Sequence, residues 1–455
     1  MAKAVRPTAP NLPTSCRSLS TIERARRSRD GWAGDTGAGY VVRVGLGSVG
    51  VDTGTETLPR RAEGGFPVVG VIGGGQLARM CQPPAVGLSL TLSVLAESPT
   101  AAAALVVPSS PVGDHTDVEQ VRAFARHCDV VTFDHEHVPE PVLQALQDDG
   151  VPLHPSPAAL VFAQDKLAMR ARFTELGLPC PVWAAAHTTA EVHGFGERVG
   201  WPLVAKTPRG GYDGKGVRVV HRADELADWV GQVGRPGPLA DGILLEQAVD
   251  FRRELAVLVA RSPSGQAAAW PVVETVQSGG ICTEVLAPAP DLDDELAAAA
   301  TEAALRIAGE LQVTGVLAVE MFEVSAAARA AGAPAYLINE VAMRPHNSGH
   351  WTIDGSVTSQ FEQHLRAVLD LPLGETRPRD RWSVMANVLG GEHPQLYPAC
   401  RHLLARDPDL RVHLYGKGVR PARKIGHVTV CGDDLEQLRA RARHAADYLQ
   451  GVIDE

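Results

Sequence analysis

The run Phe66-Pro67-Val68-Val69-Gly70-Val71-Ile72 stops at three consecutive glycines, Gly73, Gly74 and Gly75, and Gln76-Leu77-Ala78-Arg79-Met80 opens a helix directly behind them. A short β-branched run bounded by glycine reads as a buried strand. A strand that turns into a helix within three residues sends the chain back over the sheet, so the next strand lies parallel to the first. The alternation repeats. Leu90–Leu95 is a second strand run ending near Glu97, a helical stretch covers 118–128, and Asp129-Val130-Val131-Thr132-Phe133 is a third strand. The expectation is a parallel sheet with crossover helices. Pro83 and Pro84 should end the first helix early, because proline has no N–H to donate and clashes with the preceding turn.

Gly73-Gly74-Gly75-Gln76-Leu77-Ala78 also fits G-x-G-x-x-A, with acidic Glu97 about 20 residues on, the spacing of a dinucleotide fingerprint. Two readings stay open at this point. One is an NAD-dependent dehydrogenase; the other is a tight strand-to-helix turn with no cofactor.

Composition narrows the class of protein. Hydrophobic residues are 45% and charged residues 21%, which excludes collagen-like, wholly disordered and disulfide-stapled chains. Lys+Arg 43 against Asp+Glu 53 gives a net charge of -10, which argues against a broad nucleic-acid surface. No apolar run approaches the roughly 20 residues that span a bilayer. The partners expected are small molecules, with neither nucleic acid nor membrane. The seven cysteines are scattered without a C-x-x-C pair and read as reduced thiols, consistent with a cytoplasmic protein. Residues 1–65 carry the basic run Arg24-Ala25-Arg26-Arg27-Ser28-Arg29 and little periodicity. They are expected to be an N-terminal extension, disordered or wrongly included in the reading frame.

A first domain therefore spans 66–157, ending at the turn-rich hinge His154-Pro155-Ser156-Pro157. Beyond it, Ala158–Leu176 reads as one helix stopped by Gly177. Short strand runs follow at Leu203–Lys206, Val217–Val220 and Ile243–Glu246, then an alanine-rich helix over Leu292–Leu311. Val316–Val324 and Tyr336–Val341 make an antiparallel hairpin about a small-residue loop. These belong to a second domain, 158–375, and 376–455 looks like a small α+β module. The fold class expected is α/β and α+β.

Three segments carry chemistry. In Lys206-Thr207-Pro208-Arg209-Gly210-Gly211-Tyr212-Asp213-Gly214-Lys215-Gly216 the glycines expose backbone N–H groups and let the loop close over phosphates, while Lys206 offers a point charge. Glu320 and Glu340 are acids inside apolar strands, a costly arrangement unless they are paired or bound to a metal. Together they make an oxygen-ligand set for Mg²⁺ on nucleotide phosphates. Asn339 and Glu340 would share that site only if the strand bends. Arg344-Pro345-His346-Asn347-Ser348-Gly349-His350-Trp351-Thr352 then packs hydrogen-bond donors suited to a compact anion. Further on, Lys417, Arg420, Arg423, Lys424 and His427 form a basic cluster that suits a phosphate-bearing substrate.

The order Gly-Gly-Gly-Gln-Leu, Gly-Gly-Tyr-Asp-Gly-Lys-Gly (210–216), then Asn339-Glu340 and Arg344–Thr352, with Ser359-Gln360-Phe361-Glu362-Gln363-His364 and Arg423-Lys424-Ile425-Gly426-His427, resembles the 5-(carboxyamino)imidazole ribonucleotide synthase family of ATP-grasp enzymes. The resemblance runs from about Phe66 to about Val430. It implies a Rossmann-like pre-ATP-grasp domain, an ATP-grasp domain and a small C-terminal domain. It also implies ATP- and bicarbonate-dependent carboxylation of aminoimidazole ribonucleotide through carboxyphosphate, with Mg²⁺, in a cytoplasmic homodimer. The nearest rival is another ATP-grasp carboxylate–amine ligase. By resemblance, Lys166, Lys206, the loop 210–216, Glu246-Gln247-Ala248-Val249, Glu254, Gln277, Asn339 and Glu340 would hold ATP. Glu320 and Glu340 would hold the metal. Tyr212, Asp213, Arg344, His346, Asn347 and Ser348 would line the reacting centre, with Asp213, Arg344, His346, Asn347 and Ser348 catalytic. Gln76, Leu77, Lys417, Arg423 and Lys424 would bind the ribonucleotide. The chain departs from the family pattern at Lys166, where arginine is usual, at Thr275 and Gln277 in Pro271-Val272-Val273-Glu274-Thr275-Val276-Gln277, in Asp134-His135-Glu136-His137-Val138-Pro139, which keeps the acids, and in Cys81-Gln82-Pro83-Pro84.

Overall fold

A computed structural model describes residues 59–211, 215–391 and 395–453. Most of the N-terminal extension, together with Tyr212, Asp213 and Gly214, therefore lies outside the described residues.

The strand Val68–Ile72 is the middle of a three-stranded parallel sheet, between Thr91–Leu95 and Val130–Phe133. This is the expected parallel arrangement. The helix Gln76–Gly87 does not end at its prolines but runs through Pro83 and Pro84. Its distal turn is held by tertiary burial of Cys81 and Ala85, and by main-chain bonds from Leu88 to Pro84 and from Leu90 to Ala85. Packing overrides the two missing donors.

The expected single helix over Ala158–Leu176 is two, Pro157–Gln164 and Lys166–Glu175. Asp165 breaks it: its backbone is extended and its carboxylate accepts from Leu167 and Ala168 N–H, capping the second helix. Gly177 follows with φ 64, in the left-handed region expected for a helix stop.

A four-stranded antiparallel sheet runs in the order Trp183–Ala186, Ile243–Gln247, Leu203–Lys206, Val217–Val220. The large sheet has nine strands. Its path is Tyr336–Ala342, Gly315–Val324, Phe251–Arg261, Val273–Ser278, Ile281–Ala287, Trp382–Leu389, Lys424–Gly432 and Arg411–Leu414, with Ala267–Ala269 paired to Phe251–Arg261. The C-terminal strands thus continue the central sheet through the pairing of Ile281–Ala287 with Trp382–Leu389. The hairpin forms as expected, though its loop holds a short helix, Ala326–Ala330. The alanine-rich helix Asp294–Glu310 packs on the sheet, and Ala300, Ala304, Ile307 and Ala308 are fully buried with Leu317 and Val319 of the hairpin. Among the described residues, no helix is long and apolar enough to cross a membrane.

Candidate active site

Lys206 ends its strand almost fully buried, with Nζ 2.7 Å from Glu246 Oε2 and 2.9 Å from Asn339 Oδ1. Arg170 is wholly buried on the other side of the same carboxylate. Its Nε donates to Glu246 Oε1 at 2.6 Å and its Nη2 to the Asn339 carbonyl at 2.5 Å. Burial alone would raise the Glu246 pKa, but the charges of Lys206 and Arg170 outweigh it and hold the group below the usual carboxylate range. Two cations share one anion here, so the triad keeps a net positive charge. The sequence reading placed Lys206 and Glu246 but missed Arg170. Its signal was a charged residue one helical turn beyond Lys166, flanked by core residues Met169 and Phe173.

The hairpin bends where the shared site requires it. Glu320 pairs with Glu340 and Met321 with Ile338, so Asn339 is an extra residue in a bulge. Asn339 thereby faces Lys206 while Glu340 lies directly opposite Glu320. Glu254 sits on the adjacent strand, where Ala256 pairs with Glu320, so Glu254 shares that face. Burial first, then the facing Glu340 and Glu254 carboxylates, push Glu320 well above the usual range, and Glu320 and Glu340 are joined by a hydrogen bond. Burial and Glu340 likewise raise Glu254, which Gln277 partly relieves by donating its amide. Gln277 thus has a defined partner here. Among the described residues, no group of three or more His, Cys, Asp or Glu side chains is arranged to hold a metal unaided.

The glycine loop is tied to the start of the Lys166–Glu175 helix. Lys166 N–H donates to Pro208 C=O, Arg209 pairs with Asp165 at 2.9 Å, and Thr207 N–H donates to Gly216 C=O. Lys166 is half-buried there and Lys215 is exposed. Gly211 and Gly216 adopt φ 93 and 75, and an added Cβ would lie 2.6 Å from Lys215 O and 2.5 Å from Thr207 Oγ1 respectively. Only glycine fits both. Gln247 and Ala248 are exposed and Val249 half-buried after the Glu246 strand, leaving that edge open to a ligand.

Arg344 is fixed by Glu136, whose Oε2 accepts from its Nε at 2.7 Å and whose Oε1 accepts from Met343 N–H. His346 caps a short turn. Its Nδ1 accepts from Ser348 N–H, which assigns the neutral Nε2–H tautomer. That Nε2 lies 3.4 Å from Glu320 Oε1. Burial, then Arg344 and Lys424, push the His346 pKa down to about 3, so it is neutral and a donor. Asn347 exchanges two amide bonds of 2.8 Å with Asn387, a partner the sequence reading missed.

Three expectations change. Ser348 is buried, with its hydroxyl 2.9 Å from His346 Nδ1, so it positions that ring and does not line the reacting centre. The Leu77 side chain lies in the first domain's core with Val69 and Val71. His427 is wholly buried against Tyr415, and burial holds its pKa well below the usual value, which removes it from the basic cluster. Of the rest of that cluster, Lys417 reaches Gln76 Oε1 at 2.5 Å, joining the first helix to the C-terminal loop, Lys424 faces Glu320, and Arg423 is exposed.

The first glycine turn is already filled. Both Glu97 oxygens accept from Gly74 N–H at 3.2 Å, and Asp134 Oδ1 accepts from Ala78 N–H at 2.8 Å. Two carboxylates occupy the positive helix end that a pyrophosphate would need, which rejects the NAD reading.

A bent carboxylate hairpin in one sheet, with a buried lysine and a glycine loop joining two strands of another, defines an ATP-grasp enzyme. The sequence matches the ATP-grasp domain over 171–361, the ribonucleotide synthetase preATP-grasp domain over 67–164 and the phosphoribosylaminoimidazole carboxylase C-terminal domain over 383–441. N5-carboxyaminoimidazole ribonucleotide synthase of Mycobacterium tuberculosis is 52% identical over 388 residues, 84% of this chain and 88% of that protein. The enzyme of that name from Corynebacterium ammoniagenes is 48% identical, covering 85% and 92%. Among solved structures, the carboxyaminoimidazole ribonucleotide synthase of Aspergillus clavatus complexed with ATP superposes with a TM-score of 0.76 at 32% identity, over 85% of this chain and 99% of that one. The chain belongs to the N5-carboxyaminoimidazole ribonucleotide synthase family of ligases.

Proposed function

We propose that the protein carboxylates the amine of 5-aminoimidazole ribonucleotide, using ATP and bicarbonate, in purine biosynthesis. The single observation that carries this reading is the continuity of the site. Lys206 and Arg170 of the triad both bond Asn339, the bulge residue beside Glu340; Glu320 and Glu340 oppose each other on that hairpin; and Arg344, His346 and Asn347 follow directly behind its second strand, with His346 Nε2 3.4 Å from Glu320 Oε1. Relatives bearing the synthase name, and a related Aspergillus clavatus structure in complex with ADP and 5-aminoimidazole ribonucleotide, support it.

In this reading the net positive triad and the backbone N–H groups of 210–216 hold the ATP phosphates. Lys166, the exposed edge Gln247-Ala248-Val249, Glu254 and its partner Gln277 take the nucleoside end. Mg²⁺ fits the donor set: Glu320 and Glu340 oppose each other across the hairpin, burial and the facing carboxylates push Glu320 up, and a cation would relieve that repulsion and draw its remaining ligands from phosphate oxygens. Glu320 and Glu340 would hold it, and when bound it neutralises the charge developing on the transferring phosphoryl group.

A bicarbonate oxygen attacks the γ-phosphorus, the bond to ADP breaks, and carboxyphosphate forms. Its carboxyl carbon, released as CO₂, then bonds to the amine as phosphate departs and the nitrogen loses a proton. Arg344, clamped by Glu136, presents its outer N–H groups to the carboxyphosphate, and His346 Nε2–H and Asn347 supply neutral donors. Tyr212 and Asp213, which lie outside the described residues, would complete this centre and exclude water from a labile intermediate. Gln76, Lys417, Arg423 and Lys424 gather the ribonucleotide and its 5′-phosphate. A cytoplasmic homodimer is part of the same reading, and sedimentation tests the dimer.

The test is ADP release with Mg²⁺-ATP and bicarbonate, with and without 5-aminoimidazole ribonucleotide. Strong, bicarbonate-dependent stimulation by the ribonucleotide is expected. ATP turnover indifferent to it would move the substrate to another amine or acid.

A further inference from the structure

The motif Ser359-Gln360-Phe361-Glu362-Gln363-His364 has no part in the chemistry above, yet Gln360, Gln363 and His364 are all buried. Gln360 is wholly enclosed at the start of the helix Gln360–Val368. Its Oε1 accepts from His346 N–H at 2.8 Å, and its Nε2 donates at 2.8 Å both to the His346 carbonyl and to His350 Nδ1. A main-chain N–H can only donate and a carbonyl can only accept, so His346 itself assigns both ends of the amide. His350 Nδ1 is therefore an acceptor, and its ring is the neutral Nε2–H tautomer, packed between Phe361 and His427 with centroids 5.5 and 5.1 Å away. The fit is close: a Cβ on Gly349 would come within 2.5 Å of Gln360 Oε1. The main-chain N–H of Gln360 in turn donates to Thr352 Oγ1, whose hydroxyl donates to Gly349 C=O.

The Arg344–His350 segment is thus held at three points. Glu136 grips Met343 N–H and the Arg344 guanidinium, Asn387 pairs with Asn347, and Gln360 clamps both sides of the His346 peptide. The last acts on the main chain of His346, the residue whose Nε2 faces Glu320, while Ser348 contacts its ring.

We propose that Gln360 is a positioning residue for the carboxylation step: by clamping the main-chain N–H and C=O of His346 it aims that ring at the carboxylate pair and keeps Arg344 in register beside it. This rests on the function proposed above. Gln360 is wholly enclosed and bonded to His346 and His350, away from the Lys206–Glu246 pair, so its removal is expected to act on the chemical step and leave nucleotide binding intact.

The test compares Gln360→Met, which keeps volume and removes both bonds, with Gln360→Glu, which keeps an acceptor for His346 N–H and loses the donor to His346 C=O. Both are made in the full chain. The readouts are kcat and KM of ribonucleotide-stimulated ADP release, and the ratio of carboxylated product to ADP. For Gln360→Met the expectation is a kcat lower by about ten- to a hundredfold, a KM for ATP within about twofold of wild type, and a fall in the product-to-ADP ratio. Gln360→Glu should fall between. An unchanged kcat, or a loss matched by the loss of folded protein with the product ratio intact, would overturn the assignment. If Gln360→Met does not fold, Gln360→Glu alone decides, by whether kcat and the product ratio drop together. Wild-type protein that releases ADP without ribonucleotide stimulation would instead refute the functional reading on which the proposal rests.

Discussion

Replacing Arg170 with methionine should be among the costliest single changes away from the hydrophobic core. The side chain is fully buried and makes two charge-assisted bonds, to Glu246 and to the Asn339 carbonyl. Methionine keeps an unbranched chain in the buried position but leaves Glu246, itself 2% exposed, with Lys206 as its one counter-charge among the described residues. Removing one partner from a buried ion pair costs roughly 3–5 kcal/mol, against about 0–1 for an exposed pair. Asp228→Asn, which breaks the exposed Arg218–Asp228 bridge, is the internal control. At about 2–4 °C per kcal/mol the expected drop in Tm is roughly 10 °C for Arg170→Met and within a degree or two for Asp228→Asn. The effect has a direction in pH as well. Glu246 titrates below its unfolded value, so the stability it contributes is present above that value and is lost as pH falls through the folded pKa. Without Arg170 that acid limb should move to higher pH. The KM for ATP should rise because Lys206 loses the anion geometry that aims it. Thermal melts from pH 3 to 8, with KM measured on the same preparation, test all three points. A loss no larger than that of Asp228→Asn would refute the reasoning.

Asp134 is raised to about 6, by burial above all, so the folded state favours its protonated form and stability falls as pH rises from about 4 to about 6. Asp134→Asn should flatten that slope and gain up to about 3 kcal/mol at pH 7.5, seen in chemical denaturation at two pH values. Pro83→Ala restores a donor inside the Gln76–Gly87 helix and should raise Tm; a lower Tm would mean that the proline ring itself packs there. Gly216→Ala forces a Cβ against Thr207 Oγ1 at φ 75 and should distort the loop, lowering kcat/KM for ATP at least about tenfold with little change in Tm. Normal kinetics would show that the loop does not need this geometry.

The periodic parts of the fold could be read from the sequence, since strand and helix spacing in 66–133 and in the hairpin follows from local patterning. What escaped was set by tertiary contacts. The helix through Pro83 and Pro84 survives because Cys81 and Ala85 are buried under it, which no local rule reports. The break at Asp165 was written locally, as an aspartate able to cap the residues after it, but sat inside an otherwise helical pattern.

In the site, the acids and lysines announced themselves because charge in an apolar run is conspicuous. Their partners did not. Arg170 is 76 residues from Glu246, Glu136 is 208 from Arg344, and Asn387 is 40 from Asn347. Glu97 stood at the spacing of a ribose ligand but closes the glycine turn instead. A motif gives residue types and order, and only the fold decides what each carboxylate faces.

The central claim is that this site phosphorylates bicarbonate and passes its carbon to the ribonucleotide amine. The most direct measurement supplies ¹⁸O-bicarbonate with Mg²⁺-ATP and 5-aminoimidazole ribonucleotide, and weighs the released phosphate by mass spectrometry. The account predicts phosphate carrying one bicarbonate-derived ¹⁸O, formed in step with carboxylated ribonucleotide. Phosphate released at the same rate without that label would contradict it, because the oxygen attacking ATP would then have come from water.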